Sequence, residues 1–337
     1  MNVHMIVYAS EKMLRDIQIA PLAAESLGVR SMCTFVETPD VKVLLDAGVS
    51  LGPFRLGFPP HPQEYKALKA ARERIADAAE RAEVVTISHY HFDHYTPSYT
   101  DWFLHWSSDE VARSIYEGKI VLAKSYRDKV NFSQRHRGWV FANTGRKYAE
   151  RLEYVDGKEY LFGDTKIRFS EPVVHGELGT ELGWLLMTTI EHNDERALFT
   201  SDVQGPMDTA TLKAILNETP SVIIVGGPPA YLTGLVDQES IQIGLQNLAK
   251  IAQNVPTTVL EHHLLRQEDW REVAKPVLEA ATTARHSVLT AAEFLRRENA
   301  LLESKRRQLY ETEPPSTEFK KWMRKPELKR KETPPPI

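Results

Sequence analysis

Cysteine is nearly missing from this chain: its 337 residues include one, Cys33, so no disulfide can form within it. Cys33 sits in the apolar run Met32 to Val36, and a buried, inert thiol is expected there. Long apolar runs are missing too, and without a stretch of about 18 apolar residues no membrane-spanning helix is expected. The N-terminus shows no charged-then-apolar signal pattern. Nor is there an excess of one charge: the net value of −4 gives no global attraction to nucleic acid or acidic membranes, so any anion affinity must come from local patches. Together these absences predict a cytoplasmic protein with no membrane partner. With 42% hydrophobic and 26% charged residues, the chain is long enough for one large domain with a substantial core.

What is present is concentrated in one place. Ser88-His89-Tyr90-His91-Phe92-Asp93-His94 puts four metal-type ligands directly after the β-like run Glu83-Val84-Val85-Thr86-Ile87. A loop at the end of a buried strand can fold back and turn His89 and His91 to one ion, Asp93 and His94 to a neighbour. Neutral imidazoles and a carboxylate bind zinc, iron or manganese near neutral pH without a costly deprotonation.

The order of elements around this motif predicts two β-rich halves with outer helices. Ser31 to Glu37 and Val41 to Asp46 flank the turn Thr38-Pro39-Asp40 as a hairpin, and an earlier strand is expected over Val3 to Tyr8. Residues 63–83 carry apolar positions at helical spacing. Later strands are expected near 167–175, 182–190, 196–201, 221–226 and 256–261, and helices near 207–217, 237–253 and 268–298. Residues 1–300 thus form the main domain. An insert at 95–155, aromatic in Tyr99 to Trp106 and basic in Lys124 to Arg151, is expected over the cleft, either as a solvated basic face or as an anion-binding rim. Residues 301–337 read as a polar, basic extension that wraps its own domain or a partner subunit.

The motif resembles the signature of the metallo-β-lactamase superfamily of metallohydrolases, and four further elements occur in that family's order. Val41 to Gly48 resembles the strand ending in Asp-x-Gly, with Asp46 behind the metal loop. Pro172-Val173-Val174-His175-Gly176 resembles the strand and histidine completing the first metal, and Ala197 to Asp202 the strand ending in the bridging aspartate. Thr257 to His263 resembles the last strand with its terminal histidine. More narrowly, Glu25 to Ser31, the Gly227-Pro228-Pro229 turn and Glu261 to Arg266 resemble an archaeal subgroup, which suggests no settled substrate.

The resemblance implies an α+β fold, the αββα four-layer sandwich, and a dinuclear hydrolase in which a hydroxide between two ions, its pKa lowered from near 16 to about 7, is the nucleophile. It implies His89, His91 and His175 at the first metal, Asp93, His94 and a late histidine at the second, and Asp202 bridging. Asp202 also has a reading as a helix N-cap. Asp46 is expected to orient a ligand by hydrogen bonds. Related phosphodiesterases carry the ligand histidine four residues before an arginine, which favours His262 with Arg266. On an extended backbone His263 would point the other way, to contact substrate or leaving group beside Arg266. Asp93 is the expected proton handler. His4, His61, His192 and His286 are read as surface or packed residues, with His105 and His136 kept as pocket candidates.

His91 stands where oxygen-reducing di-iron members carry glutamate, which favours hydrolysis. Tyr95-Thr96-Pro97 replaces the small Gly-rich turn of the nucleic-acid-processing branches. The leading expectation is therefore a small phosphodiester or nucleotide-type substrate, or a short nucleic acid. Alternatives are a lactonase or thioesterase-type acyl hydrolase and a non-catalytic scaffold or nucleic-acid-binding protein. Two divalent ions, zinc ahead of iron or manganese, and a homodimer complete the expectations.

Overall fold

A computed structural model describes residues 14–337; the strand expected over Val3 to Tyr8 lies outside them. Two sheets face each other. The first runs in chain order: β1 (Gln18–Pro21), β2 (Thr34–Glu37), β3 (Lys42–Leu45), β4 (Val84–Ile87), β5 (Ile120–Ala123) and β6 (Arg151–Tyr154). β2 and β3 pair antiparallel from Thr34↔Leu45 to Glu37↔Lys42, the expected hairpin, and β3 to β6 are parallel. The second sheet uses β7 (Glu159–Phe162) and β8 (Thr165–Phe169). After a small ladder of β9 (Val173–Val174) and β10 (Trp184–Leu185), it continues with β11 (Thr188–His192), β12 (Glu195–Phe199), β13 (Val222–Gly226), β14 (Thr257–Glu261) and β15 (Ser287–Leu289). β12 to β15 are parallel.

Val36, Val43, Leu45 and Val84 from the first sheet meet Ile167, Ile190, Phe199 and Val259 from the second in the central core. Helices cover the outer faces. α1 (Pro62–Arg81), α2 (Asp109–Tyr116) and α3 (Phe132–Asn143) accompany the first sheet. α4 (Thr209–Asn217), α5 (Gln238–Asn254), α6 (Trp270–Val273) and α7 (Lys275–Ala284) cover the second, and α8 (Ala291–Phe294) follows β15. This is the four-layer αββα order.

α1 starts at a capping box of His61 and Glu64 with Pro62 just inside, and it buries Tyr65, Leu68, Ala71, Ile75 and Ala78 at helical spacing. Arg72 on the same face is buried and donates to Thr96 Oγ1 at 2.6 Å, His105 O at 2.8 Å and Ala47 O at 3.3 Å. One helix side chain thus ties the end of β3 to the segment after the histidine motif.

The strands expected near 167–175 and 182–190 each divide, into β8 and β9 and into β10 and β11, and two larger expectations change. The helix expected over 268–298 breaks at Ala274, between α6 and α7, and again at β15, between α7 and α8, because Arg285 takes a left-handed C-cap (φ 60°) and Thr290 with Glu293 starts a new capping box. The stretch 95–155 supplies β5 and β6 to the first sheet, so much of it builds the body of the fold. Beyond residue 300, α9 (Arg306–Thr312), α10 (Thr317–Met323) and α11 (Glu327–Glu332) follow. Phe319 and Trp322 are buried against Tyr65, with ring centroids 5.7 and 5.6 Å away, and buried Arg306 pairs with Glu64 at 2.7 Å. Cys33 is buried, as expected, and burial pushes its thiol pKa up. No helix among the described residues is long and apolar enough to cross a membrane.

Candidate metal centre

β3, β4, β12 and β14 all end at the same edge of the sandwich, and each delivers site residues there: Asp46, then Ser88 to His94, Asp202, and His262 with His263. Three of these chain exits use left-handed backbone without glycine: Asp46 (φ 49°), Ser201 (φ 54°) and His262 (φ 70°). Such conformations cost about 1–3 kcal/mol each and persist where the surroundings fix them. Gly48 answers a close approach: a Cβ there would lie 2.2 Å from Tyr95 N and 2.3 Å from His94 N.

Asp46 is the hub behind the motif. Its carboxylate accepts Ser88 N at 2.8 Å, Ser201 Oγ at 2.9 Å and the Ser88 hydroxyl, and lies 2.9 Å from His94 Nδ1. Ser88 Oγ is 2.9 Å from His89 Nδ1. Both imidazoles are held by their Nδ1 edges, with the Nε2 atoms buried and free of any partner. The fixed tautomers leave those nitrogens as acceptors.

His89, His91 and His175 bring one ring nitrogen each within 4.8 Å of one another, as do the ligand atoms of Asp93, His94 and His262. Asp202 Oδ2 stands between these groups, 2.7 Å from His175 Nε2, 3.2 Å from His262 Nε2 and 3.0 Å from His263 Nε2. Four buried side-chain atoms here have no hydrogen-bond partner: His89 Nε2, His94 Nε2, His175 Nδ1 and Asp202 Oδ1. Each such atom costs about 1–3 kcal/mol when left unsatisfied, and a cation satisfies lone pairs that no protein donor reaches. The donor set therefore fits a metal centre.

The electrostatics agree. Burial, reinforced by neighbouring imidazoles, holds His89 and His91 well below the usual histidine range, so both are neutral and ready to coordinate. Burial opposes ionisation of Asp93 and Asp202, yet the imidazoles around them outweigh it and keep both carboxyls well below their ordinary range. His262 differs. Burial lowers its pKa, but Glu25 and Asp202 overcome this and raise it to about 10, so metal binding at His262 displaces a proton.

The extended backbone assumed at the late histidine pair is not what forms. His262 is left-handed and opens a short 3₁₀ turn, His262–Arg266, so both rings swing to the same side and both Nε2 atoms reach Asp202. His262 is tied from behind by Glu25 Oε2 at 3.1 Å. Arg266 is buried and clamped by Glu25 at 2.6 and 2.7 Å, with Nη1 3.2 Å from Tyr231 Oη and 3.1 Å from His263 Nδ1. The N-cap reading of Asp202 fails because Asp208 caps α4, accepting Thr211 N at 2.7 Å.

Above the centre lies a cleft of about 620 Å³ whose floor carries His91, Asp93, His175, Asp202, His263 and Arg266. Arg30, Arg137, Lys331 and Asp101 line its walls, Arg30 being paired with Glu303 and Lys331 lying 4.0 Å from Asp101, and Phe92, Leu104, Leu182, Leu232 and Val236 make the apolar part. Tyr99 and His105 also line it, whereas His136 sits in a different pocket. Sequence reasoning missed Glu25, Ser88, Ser201 and Tyr231 as contributors, and also Gln204, whose Nε2 lies 3.3 Å from His175 Nε2 and 3.4 Å from His263 Nε2. Glu25 opens one of the runs that resemble the archaeal subgroup, which was the one signal available for it.

Fold and ligand cluster together define a protein of the metallo-β-lactamase fold. The metallo-β-lactamase fold protein YhfI of Bacillus subtilis superposes with a TM-score of 0.52 over 85% of this chain and 98% of that one, at 13% identity. More specifically, the chain belongs to the UPF0282 family. It is 41% identical over 299 residues to a UPF0282 protein of Pyrobaculum islandicum, covering 88% of this chain and 96% of that protein. With a UPF0282 protein of Methanopyrus kandleri it shares 40% over 294 residues, covering 87% and 99%. No family model matches the chain.

Proposed function

We propose that this chain is a metal-dependent hydrolase that holds two divalent ions, zinc foremost, and cleaves a phosphodiester or nucleotide-type substrate. The observation that carries this reading is the set of buried, unpartnered donor atoms on His89, His94, His175 and Asp202, in a cluster whose members His91, Asp93, His175 and Asp202 line an open cleft. His89, His91 and His175 would hold one ion, Asp93, His94 and His262 the other, with Asp202 between them. Such a pair would supply a water whose pKa is lowered to about 7 and would polarise a scissile ester.

The remaining steps belong to side chains. Asp93 lies on the cleft floor, 3.6 Å from His262 Nε2 and 3.8 Å from Arg266, where its carboxylate can accept a hydrogen bond, and then the proton, from the attacking water. His263 is held near a pKa of about 4 because burial outweighs the pull of Asp202, and it meets the substrate as a neutral hydrogen-bonding group. Arg266 anchors that edge, and Arg137 offers charge to phosphate oxygens from the wall.

The apolar wall of Phe92, Leu104, Leu182, Leu232 and Val236 supports a second reading, an acyl hydrolase of the lactonase or thioesterase kind. Turnover of bis-p-nitrophenyl phosphate, a nucleotide panel, a lactone and a thioester, each with zinc or manganese, separates the two. The account expects phosphodiester turnover that chelation abolishes; turnover of the acyl esters alone overturns the substrate class.

A further inference from the structure

α3 carries chemistry that the metal centre does not use. One of its side chains, Arg137, lies over the Phe92 ring at 4.2 Å and lines the cleft. A separate open pocket of about 390 Å³, sharing no residue with that cleft, is walled by Phe132, Arg135, His136 and Trp139 of α3 together with Tyr126 and Arg127 from the preceding loop. Phe132 is 87% exposed and Trp139 53%, an unfavourable arrangement for two large apolar rings unless something covers them. The platform is preformed: Asn131 caps the helix by accepting Gln134 N at 2.6 Å, and the buried Gln134 donates to Leu182 O at 2.7 Å.

The chemistry of the lining selects the occupant. Cations and π faces alternate, with Arg127 5.5 Å from the Tyr126 ring centroid and His136 stacked near Trp139 at 6.4 Å and 23°. No carboxylate lines the pocket among the described residues, although the chain as a whole is acidic. A second copy docked by twofold symmetry would bring Arg127 and Arg135 towards their own equivalents with no acid to offset them. Bases of any sequence stack on exposed rings while arginines meet the phosphates between them. We infer that this pocket on α3 binds single-stranded nucleic acid, with bases stacked on Phe132 and Trp139 and phosphates against Arg127 and Arg135. The inference goes beyond the hydrolase reading and is independent of it, because binding is measured without turnover and no metal ligand is altered.

The test is fluorescence anisotropy of labelled oligouridylate and oligothymidylate, each about 12 nucleotides long, and of an abasic oligomer of equal length. They are titrated with the full chain, with Phe132→Ala/Trp139→Ala and with Arg127→Ala/Arg135→Ala. Expected are binding of a natural oligomer by the full chain, binding at least about tenfold weaker in the aromatic variant, and a flatter salt dependence in the arginine variant. The abasic oligomer should bind the full chain no better than the natural one binds the aromatic variant. Uridylate against thymidylate reports whether RNA or DNA is preferred. Equal binding by the aromatic variant and the full chain overturns the inference. So does a lack of oligomer binding by the full chain, in which case a self-association that the aromatic variant loses in sedimentation, or capture on phosphatidylserine vesicles, identifies the occupant instead. Thermal melting confirms that these exposed substitutions leave the fold intact.

Discussion

Asp93 illustrates how much the site asks of single side chains. It is ionised against the opposing effect of burial, and it reaches both the cleft and the His94–His262 group. Asp93→Ala should abolish hydrolysis, by more than about a hundredfold, while leaving the melting temperature of the metal-free protein within a few degrees; activity assays paired with thermal melts check this. Glu25 is the opposite case, since it touches no substrate but neutralises Arg266 and faces His262 Nδ1. Glu25→Ala removes the carboxylate nearest to buried Arg266, leaving only Asp93 at 3.8 Å, and urea unfolding should show a loss of about 3–5 kcal/mol. The cluster from His89 to His94 was legible because its candidate donors are neighbours in sequence. Glu25 and Ser201 were not, because each meets its partner across more than a hundred residues. The late histidine pair misled because the left-handed turn at His262 has no glycine to announce it.

Elements position those residues through a few close contacts. β3 ends in Asp46-Ala47-Gly48, and the backbone of Gly48 lies against His94 and Tyr95 so tightly that a methyl group has no room. Gly48→Ala should push the motif loop away from Asp46, lowering stability by about 2 kcal/mol or more and leaving less metal on the protein after dialysis, as measured by elemental analysis and unfolding. The strands carrying the site were legible because parallel, doubly covered strands are continuous apolar runs. The break after α7 was not. Arg285 occupies a C-cap position where glycine is the usual marker, so the periodic pattern ran on through it.

At the scale of the whole molecule, the polar segment after residue 300 is bound into the sandwich by a handful of anchors: Glu303, Arg306, Phe319 and Trp322. Its composition suggested an extension because so few of its residues are apolar, and the anchors became evident only with their partners in view. Glu303 forms a paired contact with Arg30, Oε2 to Nε at 2.6 Å. Burial raises the Glu303 pKa, yet Arg30 outweighs it and brings the carboxyl to about 2. Its folded pKa lies below its unfolded value near 4.5, so the stabilisation is fully present above pH 4.5 and is lost as pH falls towards 2. Glu303→Gln should cost on the order of 3 kcal/mol at pH 7 and almost nothing near pH 2, giving a flatter decline of unfolding free energy in acid. The central claim, a two-ion hydrolytic centre on this edge of the sandwich, is tested most directly by titrating metal-free protein with zinc or manganese while following both bound metal and bis-p-nitrophenyl phosphate hydrolysis. The account predicts that turnover rises to its plateau as two ions bind per chain and disappears on chelation. Two ions bound with no turnover above that of Asp93→Ala, or full turnover in the metal-free protein, would contradict it.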